Sequence, residues 1–251
     1  MLTQERKAHI LRLLQRDGRV VAKTVSQDLG LSEDTIRRDL RDLASEGLLQ
    51  RVHGGALPAS PALADLSIRQ DLSPGDKTVI GRAAARMVKP GQVVFLDGGT
   101  TALQVARHLD TDLKATVVTH SPSVAVALAH HAGLEVELIG GRLFRHSMVT
   151  VGAAAAEAIA RVRADLYFMG VTGIHPECGL TTGDAEEAAI KRALHRQSGE
   201  TVVLASREKL GAVSPYLIGM LKDVDVLIVE GGVPDEQLSP YRQAAVTVIA
   251  A

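Results

Sequence analysis

Asp97, Gly98, Gly99, Thr100 and Thr101 form the stretch of this 251-residue chain best suited to holding a ligand. They follow an apolar run that reads as a buried strand, and they open a helix-like segment. Two glycines let a ligand approach the backbone, and a helix N-terminus offers free N–H groups to an anion. Two threonine hydroxyls add donors. The chemistry that fits is a phosphate cradle at the carboxyl end of a strand, where open α/β sheets take ligands. A tight strand-to-helix turn with a capped helix accounts for the same residues. The stretch lacks the G-x-G-x-x-G spacing of a dinucleotide site and the lysine of a P-loop. Three further strand ends could line the same crevice: Thr119-His120-Ser121, Gly140-Gly141-Arg142 and Gly170-Val171-Thr172-Gly173. Glu187 and Lys191 share a helix, and Lys209 follows a strand. Arg142, Arg145, Lys191 and Lys209 are the cations available to a phosphate, and each taken singly fits a surface position as well.

A second constellation is cationic. Ser32 is suited to cap a helix whose Ile36, Leu40 and Leu43 recur at i, i+4 and i+7. If that stripe faces a core, Asp34, Arg38 and Arg41 point the opposite way, with Thr35 and Arg37 beside them. Arginine pairs bidentately with guanine O6 and N7, and clamps phosphate equally well. Arg51, in the next strand, suits a phosphate or minor-groove contact. The same arginines also make a solvated face with Asp34 and Asp42 as local partners. Net charge does not choose between these readings. The chain carries −1 overall, and residues 1–57 hold 10 basic and 8 acidic side chains. Any contact with DNA must come from a local patch.

The elements that must position these residues fall into two groups. Helices over Thr3–Asp17, over Val21–Leu29 and after Ser32 precede a strand at Leu48–Val52 and a turn at Gly54-Gly55. Three short helices and a hairpin within residues 1–57 make a winged helix-turn-helix, and here the layout favours the DNA reading of the arginines. Residues 58–74 hold three prolines and little periodicity, which reads as a linker with some helix. From residue 75 to 251, strand-like runs alternate with helix-like runs. The strands are Val93–Leu96, Thr116–Val118, Val136–Ile139, Leu166–Met169, Val202–Leu204, Val226–Val229 and Val246–Ile249. The helices lie near Lys77–Val88, Thr101–Leu109, Ser123–Ala129, Ala153–Ala160, Ala185–Arg196 and Leu217–Leu221. The class is α/β, with a mostly parallel, Rossmann-like sheet. Tryptophan is absent and aromatics are 2%, so the core is built from small aliphatics, which suit strands buried on both faces.

Other classes find little support. One cysteine, Cys178, excludes an internal disulfide and fits a reducing compartment. No C-x-x-C or H-x-x-x-H spacing points to zinc, and no metal or cofactor is expected. No apolar run reaches the roughly 18 residues of a membrane span, and the opening residues lack a signal peptide's apolar stretch. The expected location is the cytoplasm.

Leu31–Leu43, LSEDTIRRDLRDL, and Glu46–Ala56, EGLLQRVHGGA, closely resemble the N-terminal signature of the DeoR family of transcription regulators, over nearly all of residues 4–57. The resemblance implies that Thr35, Arg37 and Arg38 lie on the recognition helix and that His53-Gly54-Gly55 closes the wing. It continues across most of residues 75–251, where the family's sensor domain is similar to sugar-phosphate isomerases. It implies effector contacts from Asp97, Gly98, Thr100 and Thr101, and roles for Gly140, Gly152, Gly170, Gly173, Glu187, Lys191 and Lys209. Two departures bear on the effector. His120 stands where the family usually has asparagine, and Ala205-Ser206-Arg207-Glu208-Lys209 lacks the usual aspartate before the Ser-Lys pair. The expected partners are an operator in double-stranded DNA, a phosphorylated sugar or polyol, and at least one further copy of the chain. The alternative is an isomerase-like enzyme fused to a DNA-binding domain. Proton transfer beside a carbonyl needs a positioned base. The Gly170–Gly173 loop has no carboxylate, which leaves Glu187 alone for that role.

Overall fold

The computed structural model describes residues 2–251. The chain opens with α1 (Thr3–Asp17), β1 (Val20–Val21), α2 (Ala22–Leu29), α3 (Glu33–Ser45), β2 (Gln50–Val52) and β3 (Gly55–Leu57). Ser32 caps α3 as its sequence suggests: its Oγ accepts from the Thr35 amide at 3.2 Å. Ile10 and Leu14 of α1 pack with Val25 of α2 and with Ile36, Leu40 and Leu43 of α3. The wing is a three-stranded antiparallel sheet ordered β1-β3-β2. The β1 strand is absent from the sequence reading because it spans only two residues. A side chain at Gly55 would place its Cβ 1.8 Å from the Val20 carbonyl oxygen, so the close approach of β3 to β1 requires glycine there. One buried ion pair, Arg6 to Asp39, ties α1 to α3.

Residues 58–74 do not hang free. They contain a 3-10 turn at Pro61–Leu63 and a short helix, α4 (Leu66–Asp71). Ala59 bridges Val213, the Ser60 hydroxyl donates to the Thr172 carbonyl, and the Leu66 amide donates to the His146 carbonyl. The segment is therefore laid against the larger domain along much of its length.

The larger domain continues with α5 (Pro74–Ala85), β4 (Val93–Leu96), α6 (Thr100–His108), β5 (Ala115–Thr119), α7 (Pro122–Leu128) and β6 (Leu134–Leu138). A hairpin of β7 (Arg142–Phe144) and β8 (Val149–Val151) follows, then α8 (Ala153–Ile159), β9 (Ala164–Gly170), β10 (Gly173–His175), β11 (Gly179–Thr182), α9 (Ala185–Arg196) and β12 (Ser198–Leu204). The chain ends with β13 (Tyr216–Gly219), β14 (Val226–Val229), α10 (Asp235–Gln243) and β15 (Thr247–Ala250). Seven strands form one sheet in the order β15-β14-β12-β9-β4-β5-β6, and every pairing in it is parallel. These are the seven strands that the apolar runs mark. The sheet is covered on both faces. One apolar cluster holds Ile159, Leu194 and Tyr241, and the other holds Ile80, Val105 and Leu128.

The expectation of a helix at Leu217–Leu221 is corrected. Tyr216–Gly219 is a strand, β13, antiparallel to β11 in a small sheet ordered β10-β11-β13. A short apolar run has no periodicity to separate helix from strand, and pairing with Thr181 and Thr182 decides it. The helix α10 was not marked in the sequence, since Pro240 lies inside it.

Strand order reverses between β4 and β9. From β4 the chain winds outward through β5 to β6, and from β9 it winds the other way through β12 and β14 to β15. The crevice at the carboxyl ends of β4 and β9 is the switch point at which such sheets bind ligands. Asp97 and Gly170 stand at its two sides.

Candidate functional site

The α3 face carries the first set of residues. Arg37 is spoken for locally, at 2.7 Å from Glu33 and 3.6 Å from Asp34. Thr35 is half-buried and its hydroxyl lies 2.9 Å from Ser32 Oγ, within the cap. Arg38 and Arg41 on α3, and Arg51 on β2, are exposed and make no ion pair among the described residues. His53 is exposed in the wing turn. Asp39, on the same helix, is buried against Arg6. That pair fixes the turn of α3, and so fixes which arginines face outward.

Asp97 is the centre of the second set. It is fully buried at the end of β4. Oδ1 accepts from its neighbour's Gly98 amide at 2.8 Å and from His120 Nε2 at 2.8 Å. Oδ2 accepts from the Gly170 amide at 2.8 Å, the Tyr167 hydroxyl at 3.3 Å and the Lys191 ammonium. Burial alone would raise its pKa, but Lys191 and His120 outweigh burial and hold the carboxyl well below the usual carboxylate range. The same contacts act on the partners. Burial opposes the Lys191 charge, yet Asp97 and Glu187 raise its pKa above the ordinary value. Burial and then Asp97 raise that of Tyr167. His120 is also fully buried, and its Nδ1 lies 3.0 Å from the Thr150 carbonyl. Both of its ring nitrogens face oxygen atoms. Asp97 is thus held by charge and hydrogen bonds and does not line the cleft. It sets the position of the residues that do.

A cleft opens over the switch point. Its floor is the loop Gly98-Gly99-Thr100-Thr101, with Gly170, Val171 and Thr172 beside it. Gly99 has φ +99° and precedes the first turn of α6. A Cβ on Gly98 would lie 2.1 Å from Val149 Cγ1, so this loop is closed to side chains at both positions. Lys77, Glu187, Lys191, Glu208 and Lys209 stand on the walls. Glu187 Oε2 accepts from Ser147 Oγ at 3.3 Å, and Oε1 lies 3.5 Å from Lys191. Lys209 is buried and has no ion pair among the described residues. Burial lowers its pKa to about 8, with Glu208 opposing the shift and the charges of Lys77, Arg69 and Lys191 adding to it. Within the 205–209 run, Glu208 accepts from Ser206 Oγ at 2.6 Å.

The structure brings Gly98, Gly99, Thr100, Thr101, Glu187, Lys191 and Lys209 to one cleft. Asp97 and His120 lie beneath it. Gly141 is exposed at the start of β7, outside the lining, because the β6–β7 connection runs past the crevice. Arg142 is drawn off to Glu186 on the surface. Sequence reasoning missed Arg69 and Lys77, which come from α4 and α5, and Thr182 from β11. The only sequence signal for Lys77 is a lysine at the start of a helix facing the sheet.

Three buried polar atoms on the cleft wall have no hydrogen-bond partner among the described residues: Thr101 Oγ1, Thr182 Oγ1 and Arg69 Nε. Native structures leave few such groups unpaired, and this cleft holds three among the described residues. All three can donate. With Lys209 and the amides of Gly99, Thr100 and Thr101 at the start of α6, they gather donors and positive charge in one cleft.

Comparison with known proteins bears on both halves of the chain. The family model described as "DeoR-like helix-turn-helix domain" matches residues 6–61, and the one described as "DeoR C terminal sensor domain" matches residues 73–231. The HTH-type transcriptional regulator GlpR of Haloferax volcanii is 36% identical over 99% of this chain and 98% of its own. The HTH-type transcriptional repressor GlcR of Bacillus subtilis is 32% identical over 92% of this chain and 89% of its own. Among solved structures, ribose 5-phosphate isomerase A of Methanocaldococcus jannaschii matches 53% of this chain and 52% of its own at 17% identity, with a TM-score of 0.40.

Proposed function

The chain belongs to the DeoR family of DNA-binding transcriptional regulators, and from that premise we propose that it represses carbohydrate-metabolism genes until a small phosphorylated sugar or polyol fills the cleft. The observation that carries the effector half is the set of unpartnered donors around the Gly98–Thr101 loop. A phosphate presents several acceptor oxygens and up to two negative charges. The loop amides at the start of α6, the two hydroxyls and the buried cations are its complement. The hydroxylated part of the ligand then lies towards Glu187, whose carboxylate accepts from sugar hydroxyls. The names of the relatives support a transcriptional regulator, and GlcR is named as a repressor.

The DNA half rests on α3 and the wing. Arg38 and Arg41 read base edges or phosphates in the major groove, and Arg51 holds the backbone. One helix-turn-helix covers a half-site, so the active form is at least a dimer. Light scattering of the full chain should give that mass with operator present, and a monomer under those conditions would end this part of the reading. The enzyme reading is set aside, because relatives matched over nearly the whole chain are named as regulators.

The test of the effector assignment is a thermal-shift screen of the full chain against sugar phosphates, polyol phosphates and their dephosphorylated forms. A ligand that binds only the folded state raises its melting temperature. The expected hits require the phosphate and vanish in Thr100→Asp. That variant keeps the fold, since a carboxylate at a helix N-terminus is stabilising, but it places negative charge where the phosphate sits. Hits that survive dephosphorylation would overturn the assignment.

A further inference from the structure

Arg69 is the only guanidinium on the cleft wall among the described residues, and it does not come from the sheet domain's own elements. It comes from α4, within the segment 58–74 that follows wing strand β3 directly. Its Nη2 has two partners at the long end of hydrogen bonding, the His146 carbonyl and Ser147 Oγ, each at 3.3 Å. Its Nε is buried with none. No carboxylate lies within ion-pair distance of it among the described residues. Burial lowers its pKa against the more distant charges of Glu187, Asp65 and Asp97. A half-buried guanidinium with no paired anion and a buried, unpartnered Nε is costly to keep. A Cβ built on Gly99 would lie 3.9 Å from Arg69 Nη1, so the guanidinium stands directly against the Gly98–Thr101 loop.

The backbone that carries Arg69 is held with equal care. Lys77 Nζ donates to the carbonyls of Arg69 and Leu72. Ala62 and Leu72, from the same segment, also line the cleft. Upstream, Ser60 is fastened to Thr172, a neighbour of the loop. We infer that the interdomain segment is itself part of the ligand site, with Arg69 binding the ligand's phosphate together with the Gly98–Thr101 loop. The inference rests on the phosphate reading of the cleft given above. It names the element that reports occupancy. The planar fork of arginine matches two oxygens of a phosphate, so a bound anion fastens α4 to the sheet. Because residues 58–74 run straight into β3, fastening them constrains the wing and the arginines of α3.

The experiment uses the full chain and inorganic phosphate as the probe, with calorimetry for affinity and amide hydrogen exchange for position. Wild type should show slower exchange in residues 62–72 and in the Gly98–Thr101 loop together when phosphate is added. Arg69→Gln should weaken phosphate binding by about tenfold or more, the loss expected for a charged hydrogen bond. At saturating phosphate it should keep protection in the loop and lose it in 62–72. Arg69→Lys should restore part of the affinity. If Arg69→Gln binds as wild type does while Thr100→Asp does not bind, the cleft reading stands and this inference falls. If phosphate protects neither segment and Thr100→Asp changes nothing, both fall. Should Arg69→Gln fail to fold, wild-type exchange still decides: protection of the loop without residues 62–72 overturns the inference.

Discussion

On the α3 face the cations stand in water, whereas in the cleft they are buried and crowded. Arg38, Arg41 and Arg51 are exposed and unpaired among the described residues. Lys191 and Lys209 are buried within one cleft, and Arg69 reaches it with its Nε buried. On the function proposed above both regions meet phosphate, but by different physics. An exposed arginine costs the fold nothing, and its attraction for DNA grows from released counterions, so it depends on salt. A buried lysine must be held by fixed partners, and its charge depends on the pH and on its neighbours. The first surface is a patch that any helix with a hydrophobic stripe can carry. The second requires Asp97 as its anchor.

The sharpest way to break this contrast is to remove the anchor. Asp97→Asn leaves Lys191 buried with only Glu187, at 3.5 Å, for charge compensation. Breaking a buried pair by removing one partner costs about 3–5 kcal/mol. Urea unfolding should show that loss, whereas Arg38→Ala should stay within about 0.5 kcal/mol of wild type. The pH dependence has a definite sign. The Asp97 pKa is depressed in the fold, so its contribution is in place above the unfolded value of about 4 and is withdrawn as the pH falls below it. Equal stability of Asp97→Asn and wild type at neutral pH would mean that the carboxylate does not anchor the cleft.

The next expected effect is on DNA. Arg38→Ala should lose about 1–3 kcal/mol of discrimination between operator and random DNA, the worth of one bidentate base contact. Arg51→Ala should weaken binding evenly across sequences and make it less salt-dependent. Gel shifts at several salt concentrations separate the two. An Arg38→Ala protein with unchanged discrimination would remove Arg38 from base reading.

The parts legible in the sequence follow the same division. The stripe Ile36, Leu40 and Leu43 alone marks the outward face of α3, because helical periodicity is local. The inner strands of the sheet are legible because buried parallel strands are continuous apolar runs, while the edge strand β6 alternates Leu134, Glu135, Val136, Glu137 and Leu138. The Gly98–Thr101 loop is legible because its glycines and hydroxyls are adjacent. What holds that loop is not. Asp97 meets His120 and Lys191 across 23 and 94 residues, and no local pattern encodes such contacts. Arg69 is hidden for a different reason. It sits in a proline-containing run without periodicity, where an arginine reads as solvated linker. Arg6 and Asp39, 33 residues apart, each look like ordinary surface charges until α1 packs on α3.

Acidity offers a finer probe of the contrast. Lys209 titrates near 8, because burial and the surrounding cations disfavour its charge. A bound phosphate, already a dianion above about pH 7, favours the charged lysine. Effector affinity should therefore fall by up to about tenfold per unit as the pH rises above 8, and Lys209→Met should flatten that profile. Operator binding by the exposed arginines should not change over the same range, since guanidinium stays protonated. Calorimetry and anisotropy across pH 7 to 9 measure both. A smaller loss of stability than that of Asp97→Asn is expected for His120→Asn. An amide can keep one of the two hydrogen bonds that His120 makes, to Thr150 and to Asp97, for a loss of about 1–2 kcal/mol. A loss as large as that of Asp97→Asn would show that His120, and not Lys191, is the main partner of the carboxylate.

The most direct test of the regulator reading joins the two regions in one titration. Fluorescence anisotropy of an operator selected from random DNA by the full chain would be followed with and without the phosphorylated ligand found by thermal shift. In wild type the ligand should release the operator. In Thr100→Asp operator affinity should match that of ligand-free wild type and should not respond to the ligand. If the ligand shifts operator binding equally in both proteins, the cleft above Asp97 is not the sensor.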